Sequence, residues 1–197
     1  MRVIQQFDQQ WQKNGAKIYH VAHATELPEA LTRISQRHAG NEGTHTVVAA
    51  GLSGAWEHLI RRVFPPEQLY VWKGGGNAEE FRQRCAQAGI GITGCAWAAA
   101  DAGSVTLYGH GDQSLLPSLL PPVHVVILST SQIFPTFAEG LAHLQSPGPH
   151  NALRPSLPPL IKMIAGPSMT GDIEGQLITG VHGPKDLYAI VMEEILV

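Results

Sequence analysis

The residues best suited to chemistry lie in the last third of the 197-residue chain. Gly166-Pro167-Ser168-Met169-Thr170-Gly171-Asp172-Ile173-Glu174 is followed closely by Gly180-Val181-His182-Gly183-Pro184. Glycines permit close backbone approach, and the acids, hydroxyls and histidine can carry polar work. A helix starting near Thr170 or Gly171 admits two readings. In one, its free N–H groups bind an anion. In the other, Ser168 or Thr170 caps the helix while Asp172 and Glu174 complement its dipole. His182 is either a hydrogen-bonded turn residue or the acid/base partner of those carboxylates. Asp101, in Asp101-Ala102-Gly103-Ser104, is placed as a nucleophile, a general base or a turn former.

Other motifs say less. Lys73-Gly74-Gly75-Gly76-Asn77 lacks the Gly-Lys-Ser/Thr ending of a phosphate loop. His20 and His23 have no further ligand nearby in sequence to complete a metal site. No Gly-x-Ser-x-Gly nucleophile elbow occurs.

Apolar segments and amphipathic stretches alternate along the chain and predict the elements that must position these residues. Strands are expected at Ala16–Val21, Thr46–Ala50, Leu69–Trp72, Gly89–Thr93, Ser104–Leu107, Val123–Leu128, Leu160–Ala165 and Leu187–Met192. Helices are expected at Leu27–His38, with Pro28 in the first turn, and at Ala55–Val63, Ala78–Ala88 and Pro135–Leu144. Gln145–Pro159 reads as an irregular excursion. This alternation indicates one α/β domain over residues 1–197, built on a largely parallel sheet. Ligands of such sheets bind beyond the carboxyl ends of the strands. Three segments qualify by position and are expected to converge: Gly51–Gly54, Gly94 through Ser104, and Gly166–Glu174.

Composition narrows the function. The 13 basic and 16 acidic side chains form no cluster of either sign, which argues against nucleic acid. Cys85 and Cys95 are too few for a disulfide framework or the usual four-thiolate cluster, and both read as packing residues. The start of the chain shows no signal-peptide pattern, and prolines and His124 interrupt the most apolar run, Leu115–Leu128. A soluble cytoplasmic protein is expected.

The C-terminal motif resembles the signature of LUD-domain proteins, most closely the lactate utilization protein C branch. Supporting matches are Gly91-Ile92-Thr93-Gly94, the Asp101–Ser104 turn, and Ser114-Leu115-Leu116-Pro117 through Pro122-Val123-His124. The resemblance implies a three-layer fold like those of ribose-5-phosphate isomerase, glucosamine-phosphate deaminase and CoA transferases. It implies an accessory role in oxidising L-lactate to pyruvate, beside partner subunits that carry the iron–sulfur clusters. This chain would then bind no cofactor or metal itself. The alternative is an independent enzyme or sensor for an anionic phosphosugar, carboxylate or acyl-CoA ligand. Its catalytic set would be Asp101, Asp172, Glu174 and His182. Gly94, Gly103 and Ser104 would line the ligand together with Gly166, Ser168, Thr170 and Gly183. The family usually carries an arginine where this chain has Met169, which removes a bidentate clamp for an anion.

Overall fold

A computed structural model describes residues 2–39, 46–145, 158–173, 176–180 and 182–193. Its helices are α1 (Arg2–Lys13), α2 (Leu27–His38), α3 (Gly54–Arg61), α4 (Ala78–Gln87) and α5 (Phe137–Gln145). The first strands are β1 (Lys17–Val21), β2 (Val47–Ala50), β3 (Leu69–Val71) and β4 (Ile90–Gly94). Next come β5 (Trp97–Ala99), β6 (Ser104–Gly109), β7 (Val123–Ser129) and β8 (Ile133–Phe134). The last are β9 (Leu160–Ile164), β10 (Met169–Ile173), β11 (Gln176–Thr179) and β12 (Asp186–Met192).

Six strands form an all-parallel sheet in the order β1-β12-β7-β4-β2-β3. Its centre is β7 against β12, in register from Val123–Asp186 to Ser129–Met192. Every residue of β7 is buried, which is why its sequence runs apolar with little alternation. One face is covered by α2 and α3, whose Leu27, Leu31, Ile34 and Ile60 meet Val47, Ile92, Val125 and Ile190. Their spacing along α2 is the helical repeat of an apolar stripe. On the other face, α1 contributes Phe7 and Trp11, and α4 packs Phe81 and Cys85 against Val48.

The rest of that second face is a second sheet, β8-β5-β6-β9, in which β6 pairs antiparallel with β5 and β9. This corrects the expectation of a single sheet between helices. The segments predicted at Ser104–Leu107 and Leu160–Ala165 are strands, but they belong to this second layer, where Val105, Leu107 and Ile164 pack toward the parallel sheet. A second correction concerns the motif. No helix starts near Thr170; Met169–Ile173 is a strand that forms a hairpin with β11, pairing Met169 with Thr179 and Thr170 with Ile178. Within Lys73–Asn77, Asn77 is the N-cap of α4 and accepts from the N–H groups of Glu79 and Glu80 at 3.1 and 3.2 Å. Residues 146–157 of the predicted excursion lie outside the described residues.

Candidate functional site

The sheet topology marks one crevice by rule. β2 leads onward to β3 on one side and has β4 on the other, so the connections diverge at the carboxyl ends of β2 and β4. Gly51 and Gly94 meet there, as expected from the sequence. The loop after β6 closes it over. Gln113 packs above Gly51, whose N–H donates to the Asp112 carbonyl at 3.2 Å, and about 50 Å³ remains.

The C-terminal motif lies at the opposite end of the sheet. Gly166, Ser168, His182 and Gly183 line a separate cavity of about 250 Å³, beside the amino ends of β7 and β12. Backbone bonds stitch the two halves of the motif together: the Ser168 N–H donates to the Pro184 carbonyl at 2.9 Å, and the Gly180 N–H to the Ser168 carbonyl at 2.7 Å. The three segments expected to converge therefore do not. The reason is that β9, which leads into the motif, runs in the second sheet and not in the parallel one.

Lys162 and His124, neither of which the sequence marks as a site residue, line the same cavity. Lys162 is paired with Leu107 across β9 and β6, and so shares the face that packs on the parallel sheet. Its Nζ donates to the Ser118 carbonyl at 2.7 Å and the Ser118 hydroxyl at 3.0 Å. Burial lowers its pKa to about 8. His124 is fully buried on β7, and its Nε2 shares a 2.9 Å hydrogen bond with the Thr93 hydroxyl. Its Nδ1 has no hydrogen-bond partner among the described residues. Burial, reinforced by the Lys162 charge, pushes its pKa down to about 3, so the imidazole is neutral. In the sequence, Lys162 is one polar residue in a short strand. His124 stands out in the sequence only as a polar break in an apolar run and as part of a supporting motif, since its proximity to Lys162 depends on the packing of two sheets.

The remaining predicted site residues lie elsewhere. Asp101 is exposed and serves the start of α5, its Oδ1 accepting the Phe137 N–H at 2.9 Å. Gly103 has φ +55°, and a Cβ there would lie 2.5 Å from the Gln10 carbonyl carbon. Ser104 is buried, and its hydroxyl has no hydrogen-bond partner among the described residues. Thr170 and Asp172 fall on β10, and Glu174 lies outside the described residues. Gly166 also approaches protein backbone, because a Cβ there would lie 2.5 Å from the Asn14 carbonyl oxygen. The Asn14 side chain donates to the carbonyls of Ala102 and Gly103 at 3.0 and 3.2 Å. The end of α1 and the turn after it thus lie close against both glycines.

Among the described residues, no group of three or more His, Cys, Asp or Glu side chains is arranged to hold a metal ion. Burial pushes the Cys85 thiol up to about 12 and the Cys95 thiol higher still. Also among the described residues, no helix is long and apolar enough to cross a membrane.

The chain is 34% identical over 145 residues to lactate utilization protein C of Bacillus licheniformis, covering 73% of this chain and 58% of that protein. It is 32% identical over 137 residues to lactate utilization protein C of Bacillus subtilis, covering 68% and 56%. The matched region thus spans little more than half the length of these two relatives. A crystal structure of a DUF162 family protein from Deinococcus radiodurans shares the fold, with a TM-score of 0.62 over 97% of this chain and 96% of that one, at 23% identity. Residues 4–192 match the LUD domain, from within α1 to the last residue of β12, and the chain belongs to the LUD-domain family.

Proposed function

We propose that this chain is an accessory subunit of a cytoplasmic system that oxidises L-lactate to pyruvate, acting beside partner subunits that carry iron–sulfur clusters. The observation that carries the reading is its kinship with lactate utilization protein C, at 34% identity across most of this chain. The chain has two cysteines, fewer than the four thiolates such clusters usually take, which supports the division of labour. The all-parallel sheet, covered on both faces, supports a layered relationship to the ribose-5-phosphate isomerase and CoA-transferase folds. The chain's own role is then to complete an assembly, with electrons travelling through its partners.

Co-expression with iron–sulfur subunits of a lactate-oxidising system tests this. The expected result is co-elution in fixed stoichiometry, with lactate-dependent reduction of an electron-accepting dye that is impaired when this chain is omitted. Partners that elute without it and oxidise lactate at an undiminished rate would overturn the proposal.

A further inference from the structure

The cavity between the two sheets has the features of a built binding site. An ammonium group has three N–H donors. Lys162 uses them on the Ser118 carbonyl and hydroxyl, leaving one without an acceptor among the described residues. The anchor is itself fixed. Ser118 is 1% exposed, and its hydroxyl donates onward to the Leu115 carbonyl at 2.7 Å. No described carboxylate pairs with Lys162. A cation partly withdrawn from water carries a desolvation cost that an anion beside it would offset. His124, fully buried on the same wall, adds a polar Nδ1 that has no hydrogen-bond partner among the described residues. Buried polar groups left in this state call for an explanation, and a bound partner is one.

We propose that this cavity binds a small organic carboxylate, with the Lys162 ammonium as its anchor. The lining sets the class of ligand. One cation and a neutral imidazole suit a single negative charge, and among the described residues no arginine lines the cavity to clamp a phosphate dianion. Ser168 and His182 supply polar contacts, while Leu119, Met163 and Leu187 leave room for a short carbon skeleton. A volume of about 250 Å³ lies below that of drug-sized sites and fits a short-chain acid. The site does not depend on the accessory role proposed above: a chain that never met an iron–sulfur partner would retain it.

Calorimetric titration of the full chain at constant ionic strength, with sodium acetate, L-lactate and pyruvate and separately with inorganic phosphate, tests the assignment. At least one carboxylate is expected to bind saturably and more tightly than phosphate. Lys162→Met should weaken that binding by about tenfold or more, while Lys162→Arg should retain part of it. No saturable carboxylate binding, undiminished binding by a folded Lys162→Met protein, or tighter binding of phosphate would each overturn the proposal. A measurement on the unmutated chain guards against a variant that fails to fold. An anion beside Lys162 must raise its pKa, so nuclear magnetic resonance of isotope-labelled lysines should show its titration move upward when the bound carboxylate is added. An unmoved titration would also overturn the site.

Discussion

Lys162→Met separates the electrostatics of the cavity from its packing, because the variant keeps the length of the stem and removes the charge. Burial depresses the Lys162 pKa from the ordinary 10.5 to about 8. Below pH 8, lysine is charged in both the folded and the unfolded chain, and the full cost of burying the charge opposes folding. Between about pH 8 and 10.5 the unfolded chain binds the extra proton, so the Lys162 contribution makes stability rise with pH across that window. The full displacement corresponds to about 3 kcal/mol, and partial solvent access reduces the expected gain to about 1–2 kcal/mol. The methionine variant lacks this gain. Losing the bonds to Ser118 shifts the variant's absolute stability, but the pH-dependent difference between the proteins isolates the charge. Urea unfolding of both proteins at about pH 7 and pH 10.5 measures it. The native chain should improve relative to the variant by about 1–2 kcal/mol between those points. The titrations of Cys85 and Cys95, common to both, cancel in the difference. A gap that stays constant, or moves the other way, would refute the reasoning.

Further outcomes follow from single contacts. Asp101→Ala should cost about 1 kcal/mol through loss of its bond to the Phe137 N–H, read as a lower urea midpoint, and leave carboxylate affinity unchanged. Loss of that affinity at unchanged stability would return Asp101 to the site. Gly103→Ala should destabilise by about 2 kcal/mol or more, since the new methyl meets the backbone of Gln10 and Trp11 at a positive φ. A melting temperature equal to that of the parent would contradict it. Cys85, with its thiol pushed up to about 12, should resist a disulfide reagent near pH 8 until urea unfolds the chain. Rapid labelling of the native protein at Cys85 would show the burial argument to be wrong.

Elements set by local physics are legible in the sequence. Val123–Ser129 is apolar along nearly its whole length because it is buried on both faces. Leu27–His38 combines a helical stripe with a proline in its first turn. Elements that depend on remote partners are not legible there. Trp97–Ala99 is too short and too rich in alanine to declare itself, and becomes a strand through β6 and β8. Met169–Ile173 contains glycine and aspartate, weak strand formers, and becomes a strand because β11 pairs with it. The site followed the same division. The motif marked Gly166, Ser168, His182 and Gly183, which do share a cavity. It could not mark Lys162, whose polar partner Ser118 is 44 positions away in the chain.

Asn14 has a practical consequence. Its side chain holds the Ala102–Gly103 turn, and its carbonyl oxygen is the surface on which Gly166 rests. Two segments more than sixty positions apart in sequence are thus indexed against the same short stretch of backbone. A fragment that begins after residue 14 would retain every residue of the C-terminal motif and lose the reference that sets its position. Trimming the amino terminus for crystallisation or expression is therefore an alteration of the cavity, even though no residue near the cut lines it.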